Sequence, residues 1–203
     1  MKYSINKTNF NDFSVFEINK LEGRGYAIPY SSVEVLKKTS LKKERYSSDI
    51  VRVLSGDWQF KYYSTNKNLP DVIDTETVAF DTVKIPSTWQ RNGYDSPAYI
   101  NCPYAFDDVP PYVPYEQPVG IYRKTFSIDN LNKTYIISFL GVVSCLDLYI
   151  NGQFVGYSEG AHNTAEFDLT KYLVEGENVL DVVVLKWCAS SYLECQDKFR
   201  FSG

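Results

Sequence analysis

A chain of 203 residues with a hydrophobic fraction of 44% has apolar material for one medium domain plus an arm, and two full domains would be crowded. A formal net charge of -4 and a pI near 5.1 argue against a phosphate-binding surface, because counterion release needs clustered Lys and Arg, so nucleic acid is not an expected partner. The opening MKYSINKTNFNDF lacks the apolar stretch of a signal peptide and nowhere do about 18 apolar residues run together, so no membrane partner is expected and the location expected is cytoplasmic.

Residues 1–45 mix turn formers with charge, as in LEGRGYAIPYSSVEVLKKTSLKKE, and carry no sustained period of either kind; they are expected to form an irregular N-terminal arm, with 46–203 as the folded domain. From Asp57 short alternating runs begin, and Trp58, Phe60 and Tyr62 fall on one face of a strand with Gln59 and Lys61 on the other. Further strands are expected within 77–85, 119–128, 134–140 and 144–150. Asn151-Gly152 then separates LDLYI from QFVGY, a hairpin signal because both central residues of a type I′ turn need positive φ. AEFDL follows, TKYL is expected to make one helical turn behind Asp168, and VLDVVVLKW reads as a central strand because it is apolar almost throughout. Strands at intervals of about ten residues with little helix give an all-β sandwich or barrel. Between 86 and 118 lies a long Pro- and aromatic-rich loop, a kind of segment that is usually functional or interfacial.

The four cysteines, Cys102, Cys145, Cys188 and Cys195, include no C-x-x-C pair and the chain has one His, so buried reduced thiols are expected rather than a zinc site. His162 sits in the polar segment SEGAHNTAEF and is expected to be exposed. Asp107, Asp108, Glu175 and Glu177 stand on turns and read as solvated charge, since adjacent turn residues rarely converge on one bond. Trp58 and Trp187 occupy strand positions suited to the core, Trp89 is placed to anchor the long loop, and Tyr99, Trp89 and Trp187 are also candidates for stacking against a ligand.

An ordered set of motifs resembles the sugar-binding domain of family 2 glycoside hydrolases of the β-galactosidase type. It runs from Leu54-Ser55-Gly56-Asp57-Trp58-Gln59-Phe60 through Ile85-Pro86-Ser87-Thr88-Trp89-Gln90, Tyr99-Ile100-Asn101, Pro110-Pro111 with Val113-Pro114, and Asn151-Gly152 with Val155-Gly156-Tyr157. It continues through Glu166-Phe167-Asp168-Leu169 and Gly176-Glu177-Asn178, and ends on Val184-Leu185-Lys186-Trp187 and Ser191-Tyr192-Leu193-Glu194 with Gln196-Asp197 and Arg200. The resemblance implies an all-β jelly-roll sandwich, truncated before immunoglobulin-like domains and a catalytic barrel. That barrel would carry the two glutamates of retaining β-galactoside hydrolysis, so this chain alone is expected to be inactive and to hold no catalytic residue.

By the same resemblance Asp197 projects into a galactose pocket, accepts hydrogen bonds from sugar hydroxyls and helps to hold sodium, tasks that suit an acceptor-only carboxylate. Asn101 is the second pocket residue, its amide able both to donate and to accept. No cofactor is expected in the chain itself. Sodium and magnesium are expected in the longer parent enzyme, with a β-galactoside such as lactose as substrate, the remaining domains as partners and homo-oligomeric assembly. Alternatives are the corresponding domain of a β-glucuronidase or β-mannosidase, and a stand-alone carbohydrate-binding or interaction module.

Overall fold

Asn151 and Gly152 adopt φ of 51° and 76°, and the two-residue turn they make joins the strands paired through Ile150 and Gln153. The computed structural model describes residues 2–39, 46–74, 77–97 and 106–194. In chain order its strands are β1 (Lys2–Ser4), β2 (Glu17–Ile18), β3 (Gly56–Tyr63), β4 (Val72–Asp74), β5 (Asp81–Ile85) and β6 (Val119–Ile128). These are followed by β7 (Ile136–Phe139), β8 (Cys145–Ile150), β9 (Gln153–Glu159), β10 (Ala165–Asp168) and β11 (Gly176–Leu185). Two short helices, α1 (Val33–Lys38) and α2 (Ser191–Glu194), and four single 3-10 turns complete the described elements. One of those turns, Thr170–Tyr172, follows Asp168, whose carboxylate accepts from the Thr170 amide at 2.8 Å.

Seven strands form one antiparallel sheet in the order β2-β9-β8-β11-β6-β3-β5. As its composition indicated, β11 is central, paired along its whole length with β6 and over Leu180–Leu185 with β8. Its alternate residues serve two cores: Leu180, Val182 and Val184 point to one side, Val183 and Leu185 to the other. The first core packs Trp58, Phe60, Leu146, Leu148 and Ile150 against the β7–β10 pair through Ile137, Ala165 and Phe167. Trp89, buried as expected of an anchor, lies over the same face; a Cβ at Gly120 would stand 2.7 Å from the Phe60 ring and 2.8 Å from Trp89, so only glycine admits both rings there.

The second face is covered by residues for which the sequence showed no period. β1 pairs with β4, Phe10 is buried, and β2 adds the outermost strand beside β9. Runs of three and two residues are too short to display alternation, which is why they were not legible as strands. The close seat of β2 needs Gly156, where an added Cβ would run into the Ile18 carbonyl oxygen. α1 was likewise unforeseen; Ser32 caps it by accepting from the Val35 amide at 3.3 Å, and Lys37 and Lys38 stand in its last turn.

Polar groups fasten this arm to the sheet. The Asn6 amide donates to the Tyr149 hydroxyl and the Asn9 Nδ2 to Asp147 Oδ1, each at 2.9 Å. Burial pushes the Asp147 carboxyl up to about 7, with the Asn9 bond acting in the opposite direction. A carboxyl raised in the folded state keeps its proton after the unfolded chain has lost its own. Its contribution is therefore complete below the ordinary Asp range and is lost as pH rises toward 7. Asp147→Asn, which keeps an acceptor for Asn9, is expected to gain stability at pH 8 relative to pH 4 by about 2–4 kcal/mol against the unsubstituted chain. Urea unfolding at both pH values checks this, and parallel pH dependences for the two proteins would show that Asp147 is not the source.

Candidate functional site

Asn101, Tyr99, Cys102, Cys195 and Asp197 lie outside the described residues. The structure does describe the segments on either side of them, and it brings two of these together. After Leu185 the chain leaves the sheet: the Lys186 amide donates to the Pro118 carbonyl and the Trp187 amide to Gln117 Oε1 at 2.5 Å. Gln117 is itself buried, and its Nε2 donates to the Pro114 carbonyl at 3.1 Å. One side chain thus ties the end of the Pro-rich loop to the start of the final segment.

The second tie is Tyr192, on α2. Its hydroxyl stands 3.0 Å from the Asp108 carbonyl and 2.5 Å from that of Tyr112, while Phe106 packs edge-on between Trp187 and Tyr192. The loop that follows Asn101 and the turn that precedes Asp197 consequently share one anchor.

Two partly buried carboxylates, Glu194 of α2 itself and Glu159 at the end of β9, hold α2 in place. Glu194 accepts from the Ser144 hydroxyl at 2.7 Å, the Ala161 amide at 3.0 Å and the Ser190 hydroxyl at 3.3 Å. Glu159 accepts from the Tyr157 hydroxyl at 2.6 Å and the Ser190 amide at 3.2 Å. Burial pushes both carboxyls upward, offset in part by these donors. The network was not recognised from sequence, although the alternation Tyr157-x-Glu159 does place Glu159 on the inner face beside Tyr157. Cys145 and Cys188 are free and buried beside it, and burial raises the Cys145 thiol well above its ordinary value.

The remaining sequence candidates fall as follows. Trp58 is buried in the first core and Trp187 is partly buried against the second. His162, Asp107, Asp108, Glu175 and Glu177 are exposed. Tyr112 and Tyr115 are more than half exposed, and Tyr115 borders a shallow groove lined also by Thr8, Asn11, Asp12, Phe13 and Ser14. Among the described residues no three His, Cys, Asp or Glu side chains gather to hold a metal ion, and no helix is long and apolar enough to cross a membrane.

Fold and site together define an antiparallel β-sandwich domain in which the end of the Pro-rich loop is tied to the segment that follows β11. Residues 51–203 match the family described as "Glycosyl hydrolases family 2, sugar binding domain", and the chain belongs to that family. The beta-galactosidase of Actinobacillus pleuropneumoniae is 44% identical over 195 residues, which cover 96% of this chain and 19% of that protein. That of Vibrio vulnificus strain YJ016 is 44% identical over 155 residues, covering 74% of this chain and 15% of its own length. The chain therefore spans a fifth or less of these relatives. Among solved structures, the beta-D-mannosidase from Dictyoglomus thermophilum shares 22% identity at a TM-score of 0.46, covering 73% of this chain and 17% of that one.

Proposed function

We propose that this chain is the sugar-binding portion of a β-galactosidase, an arm at 1–45 and a jelly-roll sandwich at 46–203, supplying one wall of a galactose pocket. The supporting observation is the shared anchor: Tyr192 and Gln117 hold together the two segments from which Asn101 and Asp197 extend. Asn101 and Asp197 then bind galactose hydroxyls, and Asp197 also contacts sodium. The catalytic glutamates, a magnesium site and the other pocket walls belong to the rest of a cytoplasmic, homo-oligomeric enzyme acting on β-galactosides such as lactose. Glu159 and Glu194 are no substitute for the glycosidase pair. Their oxygens are occupied by Tyr157, Ser190, Ser144 and Ala161 rather than turned to a cleft in which a glycosidic bond could lie.

One wall is not a site. A hydrogen bond to a charged group contributes about 1.5–3 kcal/mol, small against the entropy of fixing a free sugar on an open surface. Titrating the 203-residue chain with galactose by NMR is expected to give a Kd of about millimolar or weaker, and the chain is expected to leave an aryl β-galactoside uncleaved. Micromolar binding would favour a stand-alone module, for which exposed Tyr112 and Tyr115 offer an aromatic surface. Substrate profiling of the longer enzyme separates the remaining readings: dominant cleavage of a β-glucuronide or β-mannoside would replace the galactosidase assignment.

A further inference from the structure

We infer that Glu194, acting with Glu159 through Ser190, is a positioning residue for sugar binding, an inference that rests on the function proposed above. α2 has four residues, far too few to be stable as a helix by itself, so its place is set by what its side chains grip. Glu194 grips two loops at once: Ser144 lies at the entrance to β8 and Ala161 just beyond β9. Ser190 joins the two acids, its amide donating to Glu159 and its hydroxyl standing 3.3 Å from Glu194. Two residues before Glu194, Tyr192 holds the Asp108 and Tyr112 carbonyls. Any displacement of α2 is thereby passed to both segments that the pocket draws on, although neither glutamate touches sugar.

Shape and hydrogen bonding, rather than charge, are what this role requires. Glutamine at position 194 keeps Oε1 as acceptor for Ala161 and Ser190. Its Nε2 can donate to the Ser144 hydroxyl, which stands 3.0 Å from the Lys186 carbonyl and can turn its own proton there. Alanine instead leaves the Ala161 amide without its acceptor and releases the Ser144 and Ser190 hydroxyls from α2.

In the full-length enzyme, Glu194→Ala is expected to raise both KM for an aryl β-galactoside and the half-saturating sodium concentration by about tenfold, with kcat changed less than about threefold. Glu194→Gln is expected to stay within about twofold of the unsubstituted enzyme in both quantities. Val155→Ala, a cavity in the opposite core, serves as a control of comparable thermal loss and is expected to leave KM unchanged. Should Glu194→Ala not fold, Ser190→Ala removes only the bridging hydroxyl and is expected to shift KM in the same direction by about two- to threefold. An unchanged KM in Glu194→Ala or its stand-in, an equal shift in Val155→Ala, or a glutamine variant as impaired as alanine would each overturn the inference. Asp197→Ala, assayed in parallel, separates the two levels. If it too leaves KM and sodium dependence untouched, the proposed function has failed; if it alone changes them, only the role of Glu194 has.

Discussion

Asp181→Ala is expected to cost about 3–5 kcal/mol of folding stability, a large part of what a domain of this size possesses. Asp181 and Arg123 face each other across β11 and β6, joined by two parallel bonds of 2.7 and 2.9 Å, and their side chains are only 1% and 7% exposed. The Phe80 ring lies 4.6 Å from the guanidinium carbon, so one face of the cation is covered by an apolar ring when its partner is gone. The loss is that of an uncompensated buried charge, not of the pair's net attraction. The double substitution Arg123→Met with Asp181→Leu, which removes both charges and fills similar volume, is accordingly expected to recover most of the loss. Urea unfolding of the three proteins decides the matter, and a loss below about 1 kcal/mol for Asp181→Ala would mean that the site behaves as a surface ion pair.

In the longer enzyme, Asp197→Ala is expected to lower kcat/KM by about ten- to a hundredfold and to weaken sodium dependence. A carboxylate has only acceptors, so it meets sugar hydroxyls and a hard cation without a competing donor of its own. On the function proposed above, an assembled pocket would partly desolvate it, and its bonds would strengthen as charge develops at the anomeric carbon. Alanine removes these interactions, and galactosidase kinetics with and without sodium measure the loss. Near-normal kinetics would make Asp197 an ordinary solvated acid beside a well-anchored turn.

Much of the sandwich was legible because its signals are local. Asn151-Gly152 dictates a turn by φ alone, Trp58, Phe60 and Tyr62 mark one face by alternation, and VLDVVVL is too apolar to belong at an edge. What could not be read is the identity of the second face. In LDLYI and VLDVVVL, alternation alone would turn Asp147 and Asp181 toward water, as on a sheet with one solvated side. The structure has no solvated side there, because Tyr3, Ile5 and Phe10 close over it. That closure depends on contacts between residues more than a hundred positions apart, and no window of sequence contains both partners. The candidate site divides in the same way. Its motif residues stand out as short patterns, whereas the Glu159–Ser190–Glu194 grip emerges only when loops from separate strands meet.

The closure of the second face also sets an order of events during synthesis. Asn6 and Asn9 leave the ribosome well before their partners Tyr149 and Asp147, which follow 143 and 138 residues later. At typical elongation rates that interval is on the order of ten seconds, during which the segment lacks β8, the strand to which these bonds fasten it. Until then Tyr3, Ile5 and Phe10 can gather only with earlier members of their cluster, such as Leu69 and Ile73, and not with Tyr149 or Val183. Residues 3–10 are thus made well before they can be fully placed, and they act as a late seal over charges that the sheet cannot cover by itself.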